Sequence, residues 1–219
     1  MKKRYFTLVE LLVVVGIVVI LAGLVLPAVI GGAQQGRITQ AKSDMKSIQM
    51  ALAQMDQTYG RILKQTGSDY LFSTGEDDSN KGAPLTISDG SVTISGESDY
   101  NSLIAELTVN GRYTSGNLYY RHNPRKVRFL DPKGNFDTTQ DFDQGENKDN
   151  LWRDPWGNRY VIIINVDGSE QIVRPDDNNK RIMGKTAVYS YGPNGENDNG
   201  KNAVEGGSKL EDDIATWHK

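Results

Sequence analysis

FTLVELLVVVGIVVILAGLVLPAVI, running from Phe6 to Ile30, carries a single charged side chain, Glu10, and is preceded by Met-Lys-Lys-Arg-Tyr. Read as a helix, Leu11 to Ile30 would extend about 30 Å, close to the hydrocarbon thickness of a bilayer. A cleavable secretory signal has a shorter apolar region and a small-residue cleavage site, and no such site follows here. The stretch therefore predicts a membrane-inserted helix. Lys2, Lys3 and Arg4 before it, with only Arg37 and Lys42 soon after it, predict a cytoplasmic N-terminus and a remainder outside the inner membrane.

Glu10 does not suit a simple anchor, because an ionised carboxylate in hydrocarbon is costly. Two readings stand. The carboxylate can snorkel to the headgroups near the helix end, or it awaits a positive partner. Cleavage between Tyr5 and Phe6 would place a new ammonium one helical turn from Glu10, on the same chain or on a neighbouring copy.

Beyond the apolar run, Ile38, Ala41, Met45, Ile48, Leu52, Met55 and Tyr59 recur at alternating steps of three and four, which is one face of a helix. Gly60 suits its C-terminal stop. Pro27 can kink the upstream part, and Gly31, Gly32 and Gly36 weaken the join. A short coiled coil would show the same seam, although no charged e/g pattern accompanies it. Further on, LTISDGSVTI (Leu85 to Ile94) reads as a hairpin turning at Asp89-Gly90. Ser98 to Leu107 reads as a short helix with Tyr100, Leu103, Ile104 and Leu107 on one face and Gly111 after it. Lys126–Leu130, Arg159–Val166, Gln171–Arg174 and Ala187–Tyr191 read as strands, with Gln171–Arg174 pairing back on Arg159–Val166. Asp176-Asp177 before two asparagines reads as a turn. The polar stretches 73–83 and 137–150 read as loops.

Composition excludes several functions. The chain has 219 residues, a formal net charge of -3 and no cysteine. Disulfides, thiolate metal sites and cysteine nucleophiles are thereby ruled out, and the absence of a Lys/Arg stripe argues against nucleic acid. His122 and His218, the only histidines, lie in no zinc or nucleophile motif, and no nucleophile elbow, P-loop or dinucleotide fingerprint is present. The expectation is that the chain is not an enzyme.

KKRYFTLVELLVVVGIVVILAGLVLP resembles the signal and N-terminal helix of type IV pilins and type II secretion pseudopilins. Phe6 matches the first mature residue, Glu10 the fifth and Pro27 the twenty-second. The resemblance implies a prepilin peptidase that removes the leader and N-methylates the new terminus, although the family nearly always has Gly where Tyr5 stands. Asp154-Pro155-Trp156-Gly157-Asn158, Tyr189 to Gly195, and Asp212-Asp213-Ile214 with Trp217 resemble the head of the major pseudopilin, the G subunit. The implied fold is α+β: a long N-terminal helix, transmembrane then amphipathic, packed on a small antiparallel sheet head with long loops. The divisions are a leader at 1–5, a transmembrane or filament-core helix at 6–32, an amphipathic helix at 33–60, a variable insert at 61–150 and the sheet with its C-terminal loop at 151–219.

That family binds calcium in its C-terminal loop. The resemblance puts Asn194 in the first ligand place and Asp212 or Asp213 in the second, with the Tyr191 carbonyl nearby; Asp198 and Glu196 in NGENDNG are additional oxygen donors. A solvated acidic loop would read the same way. The implied function is a structural subunit of a periplasmic pseudopilus. It would polymerise through its N-terminal helix and work with other pseudopilins and inner-membrane assembly proteins to drive protein export. Glu10 and Pro27 would be the assembly residues. The alternatives are a surface type IV pilin or minor pilin, and a membrane-tethered binding module whose 61–150 segment forms a ligand site.

Overall fold

The computed structural model describes residues 7–63, 65–66, 69–70, 87–88, 90–109, 122–134, 136, 152–201 and 212–217; within these, side chains are described outside 24–31, 65–66, 69–70, 87–88 and 97–98. The chain divides into two compact units, Met1–Thr39 and Gln40–Lys219.

Helix α1 runs Leu8–Tyr59. It opens on a reciprocal cap. Thr7 Oγ1 accepts from the Glu10 backbone N–H at 3.2 Å, and Glu10 Oε2 accepts from the Thr7 N–H at 2.9 Å and the Thr7 hydroxyl at 2.8 Å. This is a capping box, which satisfies two otherwise orphaned donors of the first turn. In the first unit every described large apolar side chain from Leu8 to Leu21 is exposed, from 51% at Val13 to 80% at Leu8.

The expected transmembrane segment is corrected here. Among the described residues no helix is long and apolar enough to cross a membrane. The apolar stretch with described side chains, Leu8–Gly23, would run about 24 Å as a helix against about 30 Å of hydrocarbon, and it carries Glu10. The fold expected as a transmembrane-then-amphipathic helix on a pilin-like head is therefore not what is found. The single-pass inner-membrane location, with a cytoplasmic N-terminus and a periplasmic head, falls with it. What is found is helix with small antiparallel sheets.

In the second unit the seam read from the sequence is buried: Ala41, Met45, Ile48, Leu52 and Met55 are at most 1% exposed, and Ala51 joins them. Burying each of the larger ones contributes roughly 1.5–3 kcal/mol before entropy costs. α1 ends where Gly60, at φ 70°, donates to the Asp56 carbonyl at 2.7 Å, a left-handed cap that costs glycine little.

The remaining elements are β1 (Gln65–Thr66), β2 (Asp69–Tyr70), β3 (Ile87–Ser88), β4 (Ser91–Ile94), α2 (Glu97–Thr108), β5 (Val161–Asn165), β6 (Gln171–Val173), β7 (Arg181–Met183), β8 (Thr186–Ser190) and β9 (Ile214–Ala215). The central sheet has the order β3-β4-β5-β8-β9, with every pairing antiparallel. β4 and α2 belong to the 61–150 stretch read as an insert, yet β4 pairs with β5 along four residues and Tyr100, Leu103, Ile104 and Leu107 of α2 are fully buried. That stretch thus helps build the core of this unit.

β5 is buried at all five positions, so both sheet faces are covered. Val161 and Ile163 pack with Ile172, Ala187, Tyr189 and Ala215 on one face, and strand alternation puts Ile162 and Ile164 on the other. Three polar contacts seat α1 against the sheet. Gln49 Nε2 donates to the Thr186 carbonyl at 2.9 Å, Tyr160 Oη donates to Asp44 Oδ2 at 3.1 Å, and Lys185 Nζ meets Asp56 Oδ2 at 2.7 Å.

Several local readings change. Residues 126–130 form no strand. The Phe129 and Leu130 N–H groups both bond the Leu107 carbonyl at the end of α2, and the Asn123 amide bonds both the N–H and the carbonyl of Val127. With their backbone partners supplied this way, these residues need no ladder. β6 pairs with β7 rather than with β5, and Asn165 Nδ2 binds the Gln171 carbonyl at 3.1 Å across the turn between β5 and β6. α2 stops at Val109 in a left-handed conformation, φ 51°, before Gly111, which lies outside the described residues. The hairpin turn retains Gly90 at φ 77°, while Asp89 lies outside the description.

Asp44 is 5% exposed. Burial, outweighing the Tyr160 hydrogen bond and helped by the charge of Asp154, pushes its carboxyl up to about 6, with Lys133 opposing. A carboxyl raised above its unfolded value of 3.8 favours the folded state fully below that value and loses this contribution as pH rises to about 6. Asp44→Asn, which keeps an acceptor for Tyr160, should therefore raise Tm at pH 7.5 by an amount equivalent to about 1–3 kcal/mol. It should change Tm little at pH 4. Thermal melts at the two pH values check this.

Candidate functional site

The C-terminal edge of the central sheet gathers the acidic residues. β8 ends at Ser190, and the chain then turns through Gly192 at φ 69°. A Cβ on Gly192 would collide with the Asp212 carbonyl, so glycine is what lets the loop lie against the segment entering β9. Ser190 is fully buried and anchors this corner. Its hydroxyl donates to Asp154 Oδ2 at 2.6 Å and accepts from the Gly192 N–H at 3.1 Å. Asp154, also fully buried, accepts from the Trp156 and Asn158 N–H groups at 3.0 and 2.8 Å. The Asp154–Asn158 motif is thus a carboxylate-knotted turn that carries the end of β8. Burial holds the Asp154 carboxyl above its ordinary range against those bonds.

Asp198, Asp212 and Asp213 bring one carboxylate oxygen each to within 4.8 Å of one another. Backbone donors fix them. Asp213 Oδ2 accepts from the Asp198 N–H at 3.1 Å and the Gly200 N–H at 2.7 Å, and Asp212 Oδ2 accepts from the Asn194 N–H at 3.2 Å. The Asp212 N–H in turn donates to Asp198 Oδ2 at 3.4 Å. Asp213 is fully buried, and its Oδ1, like Asp212 Oδ1, is a buried oxygen with no hydrogen-bond donor among the described residues. Burial and the charges of Asp198 and Asp212 push the Asp213 carboxyl up to about 7 despite the two N–H bonds. Asp212 is shifted the same way, by burial first and then by the charges of Asp198 and Glu196.

A divalent cation answers these conditions. Calcium takes oxygen ligands at about 2.3–2.6 Å, so two oxygens on one ion lie at most about 5 Å apart, as the three carboxylates do. The orphaned oxygens of Asp212 and Asp213 would gain a partner, and the mutual repulsion would be cancelled. The donor set is all oxygen, which suits calcium better than a transition metal.

The remaining residues singled out from the sequence fall in different places. Asn194 borders the cluster: its Nδ2 donates to Asp198 Oδ2 at 3.2 Å, while its Oδ1 accepts from the Glu196 N–H at 2.7 Å. The Tyr191 ring stands 6.2 Å from that of Tyr189, beside the sheet core. Glu10 lies in the other unit and is occupied by its own Thr7, whose bonds hold the carboxyl below its usual value. Pro27 is helical in backbone. The processing pair Tyr5 and Phe6 lies outside the described residues. Sequence reasoning quoted Tyr189 within a motif but gave it no role; its hydroxyl donates to Asn197 Oδ1 at 3.0 Å and ties the acidic loop to β8.

Comparison with known proteins found no matching family model, no matching curated protein and no matching solved structure.

Calcium at one hundred times its dissociation constant should stabilise the chain by about 2.7 kcal/mol, read as a rise in Tm that EDTA reverses. Because a proton on Asp213 competes with the ion, calcium affinity measured by titration calorimetry should be weaker at pH 6 than at pH 8. Asp213→Asn should remove most of that difference. A Tm indifferent to millimolar calcium at pH 8 would contradict the site.

Proposed function

We propose that this chain is a filament subunit of the major-pseudopilin type, acting in protein secretion by polymerising through the first part of α1. The observation that carries the reading is the surface of Leu8–Leu21, whose large apolar side chains are all more than half exposed. An apolar surface of that extent marks a binding face. Copies of the same helix are the cover proposed, since valine and leucine of one helix can pack between those of another without any polar group to satisfy. The second unit, with its sheet and acidic loop, would form the head of each subunit.

Glu10 has two tasks in this reading. Within the chain it closes the capping box with Thr7. In the filament its remaining acceptor capacity would face the amino terminus of a neighbouring copy. Calcium would be held by Asp198, Asp212 and Asp213, with Asn194 beside them. It would neutralise the carboxylates and close the loop onto β9, taking the place of the disulfide that a chain without cysteine cannot form.

The absence of cysteine makes the test direct. Val14→Cys and Leu21→Cys, each introduced alone into the full-length chain, should yield disulfide-linked dimers on mild oxidation of the assembled protein. Lys180→Cys in the head should yield far fewer. Equal cross-linking at all three positions, or none at Val14 and Leu21, would overturn the proposal.

A further inference from the structure

The C-terminal strand carries more than the two ligands that precede it. Trp217 stands just beyond β9, and its six-membered ring lies against Gly200: a Cβ on that glycine would collide with Trp217 Cζ2 and Cη2. Gly200 sits at φ 82°, and its N–H makes the shortest bond to the cluster, 2.7 Å to Asp213 Oδ2. The same indole is held in turn on its other sides. Its ring is 5.8 Å from that of Tyr189, edge to face, and the Arg174 guanidinium lies 5.9 Å from its centre. Arg174 is itself immobilised by a fork onto Asp176 at 2.9 and 2.5 Å. Tyr189 grips the acidic loop at Asn197. The loop bearing Asp198 is therefore held at Asn197 by a β8 side chain and at Gly200 by the indole.

We propose that Trp217 is a positioning residue of the calcium site, which sets the Gly200 backbone, and through it Asp213 and Asp198, in the arrangement that receives the ion. The inference rests on the calcium reading above and adds a residue to it. The physical ground is that three carboxylates at this separation repel one another while the ion is away, so something other than the ligands must hold the loop at ligand distance. Backbone N–H donors orient the carboxylates, but they belong to the same Gly- and Asn-rich loop and do not by themselves hold it to β9. A large rigid ring wedged where a side chain would stand leaves the loop one place to rest, and it requires glycine at 200. Preorganising ligands in this way raises affinity by lowering the ordering cost at binding.

The test is calcium titration calorimetry on the full-length chain, kept monodisperse in detergent, with Trp217→Phe, Gly200→Ala and the double variant. Phe keeps an aromatic contact for Tyr189 and Arg174 but is too short to reach Gly200. Each single variant should weaken calcium binding about tenfold or more, in the range seen when outer-shell supports of metal sites are removed. The double variant should lose less than the product of the two, because the added methyl enters the space the indole has left, while the strain of alanine at φ 82° is common to both backgrounds. A purely structural tryptophan would lower Tm and leave these affinities within about twofold and multiplicative; that result overturns the role of Trp217 while the calcium site stands. If the unaltered chain takes up no calcium, the cation reading itself fails and this inference goes with it.

Discussion

The second unit depends on a single constraint, the burial of one seam of α1 whose polar neighbours are tied to residues on or beside the central sheet. Ala41, Met45, Ile48, Leu52 and Met55 are all but inaccessible to water. Around them Asp44, Gln49 and Asp56 each reach a polar partner on or beside the sheet. Apolar burial supplies the energy, and the polar contacts select the register, since a helix rotated by one residue would lose all three. β5, buried along its whole length, is the centre on which both faces of the sheet are built. Outward from that centre the strands become short, and the last, β9, pairs with β8 through only two residues. At this edge Asp198, Asp212 and Asp213 converge beside a two-residue pairing.

Helix α1 serves two surroundings along its length. From Ala41 to Met55 its seam residues are buried within the chain, and Met50 alone of the large apolar side chains in that span is exposed. From Leu8 to Leu21 the large apolar side chains are left in the open, an apolar surface of the kind that marks an interaction site. In the filament proposed above, self-association would resolve the imbalance. The capping box at Thr7 and Glu10 starts the helix without help from another molecule, so the exposed segment can be helical before it meets a second copy.

Parts of this were legible in the sequence and parts were not. The 3–4 seam from Ala41 to Met55 and the apolar face of α2 were readable because periodicity reports burial directly, and Arg159–Val166, found as β5 over Val161–Asn165, because its continuous apolar run suits a strand buried on both faces. The membrane span was misjudged on length: the apolar run was counted from Phe6 to Ile30, whereas among the described residues no helix meets the requirement. Glu10 was weighed as a charge in an apolar run, although Thr7-x-x-Glu10 is itself the signature of a capping box. Residues 126–130 have strand composition but find their backbone partners in Asn123 and Leu107, a tertiary substitution that no local pattern shows. Asp212 and Asp213 were reached through resemblance; what composition could not supply was their convergence with Asp198 or the ring of Trp217 against Gly200, since both depend on how β9 returns to the sheet.

The central claim is that the open apolar face of α1 is covered by other copies of the chain. Sedimentation velocity of the full-length protein, compared with a Val14→Glu/Val18→Glu variant that places two charges on one side of that face, tests it most directly. The account predicts large, concentration-dependent assemblies for the unaltered chain and a single monomer boundary for the variant, with the head melting at the same temperature in both. Assemblies of equal size from the two proteins would contradict it.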